Sequence, residues 1–166
     1  MRTCAKTRIL GTGSYLPEKV LTNKDLEKEV DTTDQWITTR TGIRERRLAS
    51  RHQATSDLAF QAALPALEAA EVKAKDLDLI LVATCTPDSP MPSTACHLQN
   101  LLGAKKAAAL DLNAACSGFV YGLTVANSMI RSGAAGNCLL VGAEVFSRFV
   151  NWSDRGTCIL FADGAG

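Results

Sequence analysis

Several patterns that would place a protein in a familiar class are missing from this chain of 166 residues. Its six cysteines form no C-x-x-C pair, and no cluster of cysteine and histidine has zinc-ligand spacing, so a metal site is not indicated. The net charge of +1 gives no support for attraction to nucleic acid or to an anionic membrane. No apolar run could span a bilayer, and the basic start lacks the apolar core of a secretory signal. We therefore expect a cytoplasmic protein with reduced thiols.

The sequence predicts strands and helices that alternate along the chain. Hydrophobic residues make up 46% and charged residues 21%, which is typical of a globular protein. Apolar runs predict strands at residues 7–15, 77–84, 107–112, 137–145 and 158–162. Helical spacing predicts helices near residues 22–30, 31–40, 56–72, 93–102 and 118–131. Pro65 should kink the third of these helices, and residues 43–48 fit either a strand or an exposed loop. The alternation predicts an α/β fold with a mainly parallel sheet covered by helices.

One stretch suggests chemistry. The run of residues 107–112 predicts a strand that ends at Asn113, and the pattern from Gly118 predicts a buried central helix, with Cys116 at the turn between them. A thiol at a helix N-terminus faces unpaired backbone N–H groups and the positive end of the helix dipole. Both favour the thiolate, which is the form that attacks an acyl group. Free cysteine is also among the most often buried residue types, so a core cysteine remains an equal alternative on this spacing alone.

Four motifs occur in order along the chain: GTGSYLPE at residues 11–18, D-T-x-D-x-W-I-x-x-R-T-G-I-R-E-R at 31–46, A-A-C-S-G-F at 114–119, and D-R-G-T-x-x-x-F-x-D-G-A-G at 154–166. Together they resemble β-ketoacyl-acyl-carrier-protein synthase III, the condensing enzyme that initiates bacterial type II fatty acid synthesis. The resemblance covers only the N-terminal half of that family's chain. It implies that residues 1–166 form one N-terminal thiolase-like domain, truncated so that the C-terminal half is absent.

The resemblance also implies a reaction and its partners. An acyl-CoA, usually acetyl-CoA, would load its acyl group onto the cysteine, and malonyl-acyl-carrier protein would then condense with it after decarboxylation. Such an enzyme is a homodimer and an acyltransferase that needs no cofactor, because acyl-CoA is a substrate. The position that matches the family's nucleophile is Cys116, which favours the catalytic interpretation over the core cysteine.

Four further positions match family residues that contact coenzyme A: Thr32, Trp36, Arg40 and Arg155. An indole and a guanidinium one helical turn apart suit a stacked base and a phosphate. The alternatives are that Trp36 is a partly buried packing residue, that Arg155 forms a surface ion pair with Asp154, and that Arg40 is simply solvated. For Arg46 we keep the interpretation of a solvated charge.

Met91 matches a position from which the family reaches into the partner subunit's acyl pocket, where phenylalanine is common. Because methionine is flexible, we expect the pocket to tolerate primers longer than acetyl. The family also uses a histidine and an asparagine from its C-terminal half. Neither His52 nor His97 matches that histidine, so no base is assigned here.

Two other functions are weighed against the acyltransferase. The chain could be a non-catalytic folded half-domain or dimerisation module, inactive without a second half that supplies the histidine and asparagine. It could also be another thiolase-like enzyme, such as a relative of hydroxymethylglutaryl-CoA synthase or chalcone synthase. The D-T-x-D-x-W-I run and the D-R-G-T segment favour synthase III over those relatives.

Overall fold

A mixed sheet of four strands organises the molecule, which the computed structural model describes over residues 6–166. The strand order is β4 (Ala108–Leu112), β3 (Leu79–Ala83), β5 (Cys138–Val145) and β6 (Asp163–Ala165). Strand β3 runs parallel to both β4 and β5, whereas β6 runs antiparallel to β5. The predicted α/β fold with a mainly parallel sheet is therefore confirmed.

Helices cover both faces of this sheet. On one face, α3 (Thr55–Ala70) and α4 (Thr94–Leu102) share the main apolar core with Ile80 and Val82 of β3. On the other face, α5 (Gly118–Ser132) packs Ala126 against Leu79 and Leu81. All five residues of β3 are buried because β3 is an interior strand with a helix layer on each side.

A second, smaller layer lies beside the sheet. It contains the antiparallel strands β1 (Lys19–Thr22) and β2 (Glu45–Leu48), with the helices α1 (Asn23–Leu26), α2 (Asp34–Thr41) and α6 (Arg155–Cys158). Its core joins Leu26 and Ile37 to Cys158 and Ile159, four side chains that are at most 3% exposed. Segments more than 100 residues apart in the chain therefore meet in one small core.

Four of the five predicted helix starts agree with the structure to within one residue, whereas α2, predicted from residue 31, begins at Asp34, and α1 ends at Leu26 rather than near residue 30. Thr22 and Asp25 form a reciprocal capping box at α1, and the hydroxyls of Thr33 and Ser93 accept from the backbone N–H groups of Trp36 and Cys96 in the first turns of α2 and α4. Gly103 and Gly133 end α4 and α5 in the left-handed conformation, which glycine adopts without a steric cost.

Two predicted strands are wrong. Residues 7–14 are not a strand, and Tyr15 alone makes a bridge, to Ala165. At Gly13 an added Cβ would lie only 2.3 Å from the Ala62 carbonyl oxygen, so this segment lies directly on α3. In the apolar run 158–162 the chain instead finishes α6, and β6 begins at Asp163. A strand needs a neighbour in register, and β5 offers one to residues 163–165.

Helix α3 includes Pro65, whose ring faces the segment at Gly13, and the expected kink there stays a prediction. The prediction for α5 needs correction. Helix α5 is buried on one face only: Gly122 and Ala126 face the sheet, while an outer set of large apolar residues is 40–61% exposed, namely Phe119, Val120, Tyr121 and Leu123. Its apolar pattern thus exceeds what the described residues cover.

Within residues 6–166, no helix combines the length and apolar character that crossing a membrane requires.

Candidate active site

Cys116 lies where the sequence predicts it, at the turn between a strand and a helix. Strand β4 ends at Leu112, residues Ala115–Ser117 form one turn of 3-10 helix, and α5 begins at Gly118. The turn holds Ala115 at a φ of +47°, a left-handed conformation that costs energy for any residue with a Cβ. The Cys116 side chain is exposed, so the alternative of a buried core cysteine is wrong.

Small residues allow the turn to approach the sheet. A Cβ added at Gly118 would lie 3.2 Å from the Ala83 Cβ, which is tight enough to push the start of α5 away from the end of β3. The carboxyl ends of β3 and β4 therefore meet beside Cys116, the edge of a parallel sheet where ligands commonly bind.

Glu144 organises the segment that follows β3. Its carboxylate accepts hydrogen bonds from the Cys85 backbone N–H at 2.8 Å and from the Thr86 hydroxyl at 2.6 Å. The Cys85 thiol in turn donates to Asn113 Oδ1 at 3.3 Å, which ties this segment to the residue that begins the Cys116 turn. Sequence reasoning missed this link, because a glutamate and a cysteine 59 residues apart carry no local signal.

Three other thiols are held in the protonated form. Burial raises the pKa of Cys138 to about 11. Burial also raises the pKa of Cys85, with a further contribution from the Glu144 charge. Cys158 is fully buried, and its desolvation raises its pKa above the ordinary value. Thiolate chemistry is therefore disfavoured at these three cysteines.

The predicted coenzyme residues form a real cluster. The guanidinium carbons of Arg40 and Arg155 lie 4.9 and 4.8 Å from the centroid of a Trp36 ring, so two cations contact one indole. Arg155 also donates to the Asp31 carbonyl oxygen at 2.9 Å. The alternative of a surface ion pair is right in kind but wrong in partner, because Arg155 pairs with Asp31 Oδ2 at 3.9 Å, while Asp154 accepts from Gly156 and Thr157 at the start of α6.

The surroundings of the indole are open on one side. Trp36 packs partly against the small core, as the packing alternative predicts, and it also lines a shallow cavity of about 370 Å³ together with Thr33, Gln35, Thr39 and Arg40. Beside it, Thr32 Oγ1 is buried without a hydrogen-bond partner among the described residues. An unsatisfied hydroxyl and two guanidinium groups near a half-buried indole that borders a cavity suit an aromatic, anionic ligand.

The interpretation of Arg46 as a solvated charge is wrong. It is 2% exposed, and its guanidinium donates to Asn23 Oδ1 and to the Ile159 carbonyl oxygen. Sequence reasoning missed both Arg46 and its partner Asn23. The available signal was period two in β2, where Arg46 and Leu48 share the buried face.

The remaining predicted positions are apart from these clusters. Met91 lies in the segment before α4 and is 86% exposed. His52 is exposed in the segment before α3, and His97 is half-buried in α4. Residues 6–166 contain no group of three or more histidine, cysteine or acidic side chains that could hold a metal ion.

Comparison with known proteins gives a consistent result. A family model described as 3-oxoacyl-[acyl-carrier-protein (ACP)] synthase III matches residues 110–166, which include Cys116. The chain is 61% identical over 158 residues to a β-ketoacyl-[acyl-carrier-protein] synthase III of Caldanaerobacter subterraneus, covering 95% of this chain and 48% of that protein. A synthase of the same name from Xylella fastidiosa is 62% identical over 159 residues, covering 96% of this chain and 49% of its own. The chain thus spans about half the length of the curated relatives that it matches.

Solved structures agree. The crystal structure of 3-oxoacyl-[acyl-carrier-protein] synthase III from Aquifex aeolicus superposes with a TM-score of 0.94 at 56% identity, over 96% of this chain and 52% of that one. The priming β-ketosynthase of the R1128 polyketide pathway superposes with a TM-score of 0.92 at 37% identity, over 95% of this chain and 47% of that one. The similarity therefore extends through the whole described fold.

Proposed function

Because the chain is homologous to β-ketoacyl-[acyl-carrier-protein] synthase III, we propose that it carries the nucleophile and the coenzyme contacts of an acyltransferase that initiates fatty acid synthesis. The acyl donor is an acyl-CoA, with acetyl-CoA as the expected primer. The observation that carries this proposal is the pairing of an exposed cysteine at a strained strand-to-helix turn with a tryptophan contacted by two arginines.

The loading step follows from Cys116. Its thiolate Sγ attacks the thioester carbonyl carbon, the bond between that carbon and the coenzyme sulfur breaks, and coenzyme A leaves as a thiolate. The backbone N–H groups at the start of α5 stabilise the oxyanion that forms on the way. The product is an acyl thioester on Cys116, and the step uses no cofactor.

The coenzyme is held at the Trp36 end. Its adenine stacks on the indole where Trp36 lines the cavity, and the guanidinium groups of Arg40 and Arg155 neutralise its phosphates. Thr32 Oγ1 gains the hydrogen-bond partner that it lacks among the described residues. Binding of an anionic nucleotide would account for the position of Arg40 and Arg155 against Trp36.

In the second step, malonyl-acyl-carrier protein loses carbon dioxide, and the resulting carbanion equivalent attacks the Cys116 thioester to give a β-ketoacyl-acyl-carrier protein. We assign no base for this step to the present chain.

The enzyme acts as a homodimer in which the exposed Met91 reaches towards the partner subunit's acyl pocket. A flexible methionine there would admit primers longer than acetyl. A strong preference of the dimeric enzyme for acetyl-CoA over hexanoyl-CoA would contradict that part of the proposal.

A second candidate function is a non-catalytic half-domain or dimerisation module. It is favoured by the exposed apolar face of α5, where Val120 is 61% and Tyr121 56% exposed, since such patches commonly mark protein interfaces. The two functions differ in whether a covalent acyl-enzyme forms.

Incubation with acetyl-CoA tests the proposal. Intact mass should show one added acetyl group, and peptide mapping should place it on Cys116. The matched control is Cys85→Ser, which removes the neighbouring thiol and should still be acetylated. A folded chain that gains no acetyl group, or gains it on another cysteine, would contradict the acyltransferase and favour the non-catalytic module.

A further inference from the structure

Arg46 is a buried cation that the proposed chemistry does not use. It lies in β2 and is 2% exposed. Its Nε and Nη2 both donate to the Ile159 carbonyl oxygen, at 3.2 and 2.7 Å, and its Nη1 donates to Asn23 Oδ1 at 2.5 Å. Its acceptors are therefore neutral oxygens. Burial lowers the pKa of Arg46, so the protein retains a charge here at some cost.

The two acceptors of Arg46 connect it to two different helices. The first acceptor, Asn23, is 1% exposed, and its own amide nitrogen donates to Asp34 Oδ1 at 2.7 Å and to the Ile43 carbonyl oxygen at 2.8 Å. Asp34 is the first residue of α2, the helix that carries Trp36. This series of hydrogen bonds from Arg46 therefore ends at Asp34, two residues before Trp36.

The other branch ends at Ile159, the residue that caps the C-terminus of α6. Arg155, the first residue of the same helix, contacts the Trp36 ring. The Arg46 guanidinium thus connects two helices: α2, which carries Trp36, and α6, which carries Arg155.

We propose that Arg46 is a positioning residue for coenzyme binding, which holds α6 against α2 so that Arg155 stays at the Trp36 ring without itself touching the coenzyme. This inference rests on the proposed function. Only a planar fork with several fixed donors can reach the amide oxygen and the carbonyl at once. A lysine at this position keeps the charge and loses one of the two connections.

The test compares the same substitution at two adjacent residues of β2. Arg46→Lys should weaken the binding of coenzyme A, measured by titration calorimetry, about tenfold, which is within the usual range for coupled neighbours. The matched control is Arg47→Lys, because Arg47 makes an ion pair with Glu45 at 3.2 Å on the outer side of the same strand. That variant should leave the dissociation constant nearly unchanged.

A merely structural role is separated from positioning by repeating Arg46→Lys in an Arg155→Ala background. If Arg46 acts through Arg155, its substitution should no longer change coenzyme affinity there, whereas a general loss of stability would persist in both backgrounds. Equal losses of affinity in both backgrounds, or no loss in the first, would overturn the proposal. If Arg46→Lys does not fold, Asn23→Ser, which breaks the branch to Asp34, is measured in the same two backgrounds with the same expected results.

Trp36→Ala distinguishes this inference from the function on which it rests. If Trp36→Ala weakens coenzyme binding and Arg46→Lys does not, only the positioning role is wrong. If Trp36→Ala binds coenzyme A as tightly as the unaltered chain, the proposed coenzyme site is wrong and the role of Arg46 falls with it.

Discussion

The proposed coenzyme cluster around Trp36 and the turn around Cys116 are built in different ways. The cluster is held by side chains: two guanidinium groups lie within 5 Å of one indole, and a buried arginine joins the helices beneath them. The cysteine turn is shaped mainly by the backbone, through the end of β4, the strained Ala115 and the start of α5, and the Cys85 thiol ties its first residue, Asn113, to the segment after β3.

Their surroundings differ as well. The cluster rests on a small closed core, whereas the helix behind Cys116 leaves large apolar side chains exposed, with Val120 at 61%. The proposed coenzyme site thus rests on packed side chains, while the apolar face of α5 beside Cys116 stays open within the described residues. We expect substitutions in the two regions to have separable effects.

The largest effect is expected from Cys116→Ser. The change is nearly isosteric, so the fold should persist, but a serine hydroxyl is a far weaker nucleophile than a thiolate. Acetylation from acetyl-CoA should be lost completely, as measured by intact mass, while coenzyme affinity stays the same. An unchanged acetylation rate in this variant would show that the turn does not provide the nucleophile.

Thiol labelling gives the next largest contrast. Cys116 is exposed, whereas the pKa of Cys138 is raised to about 11 by burial, so Cys138 is almost entirely neutral near pH 7. Iodoacetamide should therefore modify Cys116 first, as followed by peptide mapping. Between pH 7 and 10 the labelling rate of Cys138 should rise about tenfold per pH unit, because its thiolate fraction rises in that proportion below its pKa. Equal labelling of both cysteines at pH 7 would remove this distinction.

Trp36→Ala should affect only the coenzyme end. Loss of base stacking costs about 1–3 kcal/mol, which corresponds to a loss of affinity of roughly 5- to 150-fold. Calorimetric titration with coenzyme A measures it. The control is Trp152→Phe, since Trp152 packs against the same small core and donates to the Ser147 carbonyl oxygen. A change in the iodoacetamide reactivity of Cys116 in Trp36→Ala would show that the two regions are coupled.

The smallest effect concerns the capping box that starts α1. Hydrogen bonding from the Thr22 hydroxyl, with help from Lys28, lowers the pKa of Asp25 to about 2. A carboxyl whose pKa is depressed by folding stabilises the protein above its unfolded pKa, and the contribution is lost as the pH falls through the folded value.

Thermal unfolding between pH 5 and 2 measures this contribution. The unaltered chain should lose more stability over that interval than Asp25→Asn, whose amide does not titrate. Identical pH dependence of the two proteins would show that the capping box does not stabilise the ionised carboxyl.

Sequence reasoning succeeded where the signal is local. The helix starts near residues 22 and 93 and the strand β3 are specified by neighbouring residues, and the structure has them within two residues of the predicted bounds. Sequence reasoning failed where pairing between distant strands determines the structure. The apolar run after Cys158 suits a strand in isolation, but β5 pairs with residues 163–165 instead.

The arginines show the same limit. Arg40 and Trp36 lie one turn apart on α2, so their contact could be expected from spacing, whereas Arg155 reaches the same ring from a segment 119 residues later. Burial of Arg46 depends on which face of β2 meets the small core, and its acceptor at Ile159 is 113 residues away. Charge patterns do not encode such contacts, so a solvated interpretation was the natural error.

The most direct test of the division between the two regions compares two acetyl donors on one chain. Acetylation of Cys116 is followed by mass spectrometry with acetyl-CoA and with S-acetyl-N-acetylcysteamine, a thioester that lacks the nucleotide. We expect Trp36→Ala to slow the reaction with subsaturating acetyl-CoA in proportion to its loss of affinity, and to leave the reaction with the short thioester unchanged. Equal slowing with both donors would contradict the claim that this chain joins a separate coenzyme cluster to an independently competent nucleophile.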